Sequence, residues 1–246
     1  MKLNSSFGKL MLMEVEAYWS FPVFELVLFA ALLSVLNRVA SFNTSGYYEL
    51  NHGFYGLGIL LQILTIGVII PRTFAGSINR GEMLVLLSYP TRRWTILLSK
   101  LFTNIIILTA VLGFGVLLNS LLLGVSFLEP APYVLIAVIA IQVLFWSALS
   151  SFISIMIKNE AVSVFVFLLL MFGLEFNPMA LSGSYTYLTQ LRSNNVMYNY
   201  LTSVFYHTPS LFTYQDFMTA ITFPITVSLI LIVLSLIYFE KVMQFD

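Results

Sequence analysis

The chain contains no cysteine, which excludes disulfides, thiolate metal sites and cysteine nucleophiles. It is also short of charge. Only 9% of its 246 residues are Asp, Glu, Lys or Arg, against about 25% in a soluble domain. The eleven cations balance eleven acids, so net charge points to no nucleic-acid partner. Sequences such as HExxH, GxSxG or a Walker A loop, which would carry hydrolytic or nucleotide chemistry, are missing. His52 and His207 stand alone in expected loops. The chain therefore reads as a non-enzyme with no bound cofactor or metal.

Hydrophobic residues make up 59% of the chain and the mean hydropathy is +0.95. Too few polar groups remain to cover a surface in water, so the bilayer is the expected solvent. A helix crossing the hydrocarbon core needs about 20 apolar residues. Six stretches approach or meet that length: Phe21–Leu36, Phe54–Ile70, Leu101–Leu123, Tyr133–Ile157, Ala161–Phe176 and Ala220–Phe239. The expected fold is thus an all-α polytopic membrane protein forming one transmembrane domain over 1–246. Gly67 in the second stretch and Gly113 and Gly115 in the third permit close helix contact.

With the N-terminus inside, Lys2, Lys9, Arg72, Arg80, Arg92, Arg93, Lys100, Lys158 and Lys241 all fall on the inner side, and only Arg38 and Arg192 fall outside. The bias of Lys and Arg toward cytoplasmic loops selects this arrangement, with both termini in the cytoplasm of a multi-pass protein of the plasma membrane.

Three further pieces are legible. In residues 1–19, Phe7, Leu10, Met11, Val15 and Tyr18 recur at spacings of three and four, which predicts an amphipathic helix in the inner interface. Residues 72–100 form a basic hairpin between spans two and three. There Thr91 is placed to cap a short helix over 91–101, with Trp94, Leu97, Leu98 and Leu101 on one face and Arg92, Arg93 and Lys100 turned away from it. Residues 181–219 carry a run of tyrosines and phenylalanines, which predicts short helices packed at the outer leaflet. Within the spans, Asn104, Asn119 and Gln142 suit interhelical hydrogen bonds. With Glu25 and Glu175 they make up a candidate substrate path, since charged groups in spans are costly.

This layout resembles the permeases of ABC type-2 exporters. The resemblance rests on the hairpin residues Arg80-Gly81, Leu84 to Leu87, Ser88, Pro90, Thr91, Arg92, Arg93, Trp94 and Lys100, together with six spans and an N-terminal interfacial helix. The family's acid about six residues before the proline is replaced by Leu84, with Glu82 two positions earlier. The resemblance implies a coupling helix, with Gly81, Glu82, Pro90, Thr91, Arg92, Arg93, Trp94, Leu97 and Lys100 as the coupling residues, seated on a separate cytoplasmic ATPase subunit. It also implies a second permease copy beside this one, with ATP and Mg held by the partner. A lipid-acting membrane enzyme and a non-transporting scaffold are the alternatives. The cargo class left open is hydrophobic or amphipathic.

Overall fold

The computed structural model describes residues 3–18, 59–88, 91–122, 124–175 and 190–241, which are mostly helical with no strand among them. In chain order the helices are α1 (Leu3–Tyr18), α2 (Ile59–Pro71), α3 (Glu82–Ser88), α4 (Arg93–Leu122), α5 (Pro130–Ile157), α6 (Glu160–Glu175), α7 (Gln190–Tyr206) and α8 (Tyr214–Lys241). Between α2 and α3 the chain winds through a π-helical segment, Arg72–Gly76, and one more α turn, Ser77–Asn79. Three helices are long and apolar enough to cross a membrane: Arg93–Leu118, Pro130–Ile157 and Tyr214–Glu240. They mark the chain as a membrane protein. Two shorter apolar helices, Ile63–Asn79 and Glu160–Leu174, overlap the expected spans Phe54–Ile70 and Ala161–Phe176, the first over residues 63–70 and running on into the expected hairpin. The first expected span, Phe21–Leu36, with Glu25 on it, lies outside the described residues.

α5 is the centre of the assembly, packing against α2, α4, α6, α7 and α8. Its sequence suits that place. Ser147, Ser150, Ser151 and Ser154 are fully buried and give neighbouring backbones room to approach. Trp146 fills the volume toward α6, edge-on to Phe167 at 5.6 Å. Gly67 of α2 completes that contact. A Cβ there would lie 2.5 Å from the Phe167 ring, so the close approach read from the glycine is present in the packing. Pro130 occupies the first turn of α5, where its missing N–H costs nothing. Lys158 closes the helix in the left-handed conformation, its N–H reaching the Ser154 carbonyl at 3.0 Å.

Three boundaries differ from the sequence reading. The short helix over 91–101 and the span after it are one continuous rod, α4, of 30 residues. At 1.5 Å per residue it is about 45 Å long, more than the ~30 Å hydrocarbon core needs, so nearly three turns are left over. Thr91 does not cap it, because the Thr91 hydroxyl has no hydrogen-bond partner among the described residues and Arg92 supplies the first carbonyl, to Thr95 N–H. The last helix starts at Tyr214 rather than Ala220. Thr213 and Asp216 form a reciprocal cap there, with Thr213 N–H on Asp216 Oδ2 at 2.9 Å and Asp216 N–H on Thr213 Oγ1 at 3.2 Å.

Candidate functional site

The basic hairpin begins where α2 is disturbed. Pro71 has no N–H to donate, and its ring crowds the carbonyl four residues back, at Gly67. The helix then widens into the π segment Arg72–Gly76, with Thr73 Oγ1 donating to the Ile70 carbonyl at 2.9 Å. The chain turns at Gly81, whose φ of +74° is a left-handed value that glycine adopts without a Cβ penalty. Arg80 and Glu82 flank the turn. Arg80 Nε donates to Glu82 Oε1 at 2.7 Å, and Arg80 Nη1 lies 3.6 Å from Glu160 Oε2 at the start of α6. The hydrogen bond from Arg80 is the main reason the Glu82 carboxyl titrates below its usual range. The fields of Lys100 and Arg72 act in the same direction, and partial desolvation opposes them. Arg80 is held above its ordinary value by the same bond.

Gly76 sits under this junction. A Cβ at Gly76 would fall 2.5 Å from Glu160 Oε2 and 2.9 Å from Arg80 Nη1, so the pair as placed closes over Gly76 and a methyl there would push its side-chain ends aside. Asn159 sets Glu160 in place by capping α6, accepting from Val162 N–H at 3.1 Å. The carboxylate then lies in the first turn of α6, where the helix dipole favours negative charge.

At the other end of the hairpin, Lys100 departs from the sequence reading. It was expected to face the cytoplasm with Arg92 and Arg93. Instead it is buried, 5% exposed, and its Nζ lies 2.7 Å from Oε1 of Glu14 on α1, itself 8% exposed. Leu97 is fully buried in the bundle core and Trp94 is half-buried, whereas Arg92 and Arg93 are exposed. Leu84 and Val85 on α3 also face outward. Pro90 lies outside the described residues. A helix, α1, stands where an interfacial helix was expected, and it packs on α4, with Leu10 and Glu14 buried among its described side chains.

Of the candidate path residues, the structure describes the side chains of Asn104 and Gln142. Asn104 is buried and donates to the Lys100 carbonyl of its own helix at 2.7 Å. Gln142 is buried on α5, and its amide nitrogen has no partner among the described residues. Asn119 lies on α4 and Glu175 at the end of α6, but their side chains fall outside the described residues, as Glu25 does entirely. Glu14 and Glu160 are the functional candidates the sequence reading missed. For Glu14 a signal existed: four residues after Leu10, it occupies the apolar stripe, where a carboxylate needs a partner. For Glu160 there was none, because only the fold brings it to Arg80.

The opposite end of the bundle uses different contacts. The Tyr206 hydroxyl donates to Glu129 Oε2 at 2.8 Å, joining the end of α7 to the residue before α5. Tyr200 stacks on Phe217 at 4.6 Å and 20°, joining α7 to α8. No family model matches the chain, and no curated protein matches it.

Proposed function

We propose that the chain is the membrane-spanning permease subunit of an ATP-driven exporter of the ABC type-2 kind, working with a separate cytoplasmic ATPase. One observation carries the reading. Two exposed arginines, Arg92 and Arg93, stand at the foot of a single unbroken rod that runs on into the bundle. A push on that foot reaches the buried face of α5, because α4 and α5 pack along each other. In this reading the inner face holds the hairpin, α1 and both termini. The ATPase supplies the ATP and Mg chemistry, and its acidic or carbonyl groups meet Arg92 and Arg93. A second permease copy completes the path in the plasma membrane. The half-buried Trp94 and the buried Leu97 act as packing that transmits force, while Lys100 fixes the rod rather than meeting the ATPase.

The test is affinity capture of the tagged full-length chain, with partners identified by mass spectrometry. The reading expects an ATPase with a Walker A loop, lost on Arg92→Glu/Arg93→Glu while the chain stays monodisperse. Unchanged capture in that variant counts against the reading. Reconstitution with the captured ATPase separates a permease from a scaffold: ATP-dependent movement of an amphipathic dye supports the first, and bound ATPase without movement the second.

A further inference from the structure

We propose that Glu14 and Glu160 are positioning residues that clamp the basic hairpin from outside it, so that α1 and the start of α6 move with the hairpin as one body. The inference rests on the permease reading for its purpose, but its geometry stands alone. Of the hairpin's cations, Arg80 near its start and Lys100 at its end each meet a carboxylate from another element. Lys100 Nζ is 2.7 Å from Glu14 Oε1, and Arg80 Nη1 is 3.6 Å from Glu160 Oε2. The two contacts bracket α3 and the foot of α4.

The two ends of the clamp differ in kind. The Glu14–Lys100 pair is buried, and a buried ion pair contributes little over apolar packing of the same volume. What it adds is register. A slide of α1 along α4 by one turn leaves both charges buried and unpaired, so α1 follows α4 rather than gliding on it. The Arg80–Glu160 pair is partly exposed and weaker. It is held by shape: Gly76 leaves the space, Asn159 sets the carboxylate in the first turn of α6, and Gly81 lets the chain reverse beside Arg80. The π segment that ends at Gly76 is a place where a helix can change its winding by one residue. A pull on the hairpin is therefore passed to α1 through one carboxylate and to α6 through the other.

The absence of native cysteine makes a direct test simple. Spin labels are placed on Leu12→Cys with Val85→Cys, and separately on Val85→Cys with Val162→Cys, all exposed positions on α1, α3 and α6. Distances are read by pulsed electron resonance on the full chain in lipid nanodiscs. Each pair should give one narrow distance. Glu14→Gln should remove the narrow peak for 12–85 and leave 85–162 intact, whereas Glu160→Gln should do the reverse. Two rescues distinguish positioning from general weakening. The exchanged pair Glu14→Lys/Lys100→Glu should restore the narrow 12–85 peak. Gly76→Ala, which removes no charge, should reproduce the Glu160→Gln loss. Unchanged distributions in Glu14→Gln and Glu160→Gln overturn the inference. If Glu14→Gln does not fold, the exchanged pair decides: a folded chain with the narrow peak supports the clamp, and a broad peak or no folded chain overturns it. No ATPase enters this measurement. Its failure leaves the permease reading standing, and an empty capture experiment leaves the clamp standing.

Discussion

The two ends of the helix bundle are fastened by different physics. At the hairpin end the ties are charges: Lys100 to Glu14, and Arg80 to Glu82 and Glu160. At the far end they are rings and a phenol: Tyr200 on Phe217, and the Tyr206 hydroxyl on Glu129. Ion pairs are directional and lose their value when one partner leaves, so they hold an end in one of a few discrete arrangements. Stacked rings tolerate small slides, and tyrosine is at home where an apolar ring meets a wet hydroxyl. An end built from charge pairs suits a part that is pushed. An end built from rings suits a part that rests against the head groups.

The largest break in this contrast is Glu14→Gln. It leaves the Lys100 ammonium buried with a neutral amide where its counter-charge stood, and removing one charge of a buried pair costs about 3–5 kcal/mol. Thermal unfolding in detergent should show it as the steepest loss of the variants named here, and Glu14→Leu/Lys100→Met should recover most of it. Gly76→Ala comes next. Its new methyl pushes aside only the flexible, part-exposed ends of Glu160 and Arg80, so the loss stays at or below the low end of the about 1–3 kcal/mol that overpacking a core costs. Tyr206→Phe at the far end removes one hydrogen bond to a carboxylate, about 1.5–3 kcal/mol if the oxygen is left dry and less if water reaches it. Because Glu129 is half-buried, the smaller figure is expected, and added salt should not change it. The smallest effect is Glu82→Gln, within about 1 kcal/mol, because the Arg80–Glu82 pair is more than 45% exposed on the Glu82 side, at 54%. Its sign is fixed. The folded carboxyl titrates below its reference value of 4.5, so the pair stabilises at pH values above that reference. The contribution fades as pH falls through the lowered value, and Glu82→Gln should remove that acid dependence. A pH series of unfolding midpoints in the wild type and the variant checks it.

Much of the architecture was written in hydropathy. The apolar runs that became α4, α5 and α8 are long, the shorter run that became α6 was legible too, and within the aromatic stretch residues 190–206 form a helix, α7, packed on α5 and α8. The boundary at Leu101 was misplaced because a change in hydropathy is not a break in a helix. Nothing between Arg93 and Leu122 forbids α-helical winding, so one helix runs through Leu101. Helical periodicity placed Leu97 and Leu101 correctly in the core. It put Lys100 on the solvent side because the angle arithmetic knows nothing of neighbours. Lys100 lies about 60° from Leu97 around the helix, on the flank where α1 happens to pack. Its partner is set by tertiary packing across a long stretch of chain, as is that of Arg80. Glu82, by contrast, finds its cation two residues away, across a turn the Gly81 position made readable.

The account turns on which side of the membrane the hairpin faces. A single cysteine at Arg92→Cys, in a chain that otherwise has none, can be challenged with a membrane-impermeant maleimide in intact cells, beside Thr208→Cys on the loop before α8. The account predicts that Thr208→Cys labels at once and Arg92→Cys labels only after the membrane is permeabilised. Labelling of Arg92→Cys in sealed cells would contradict it.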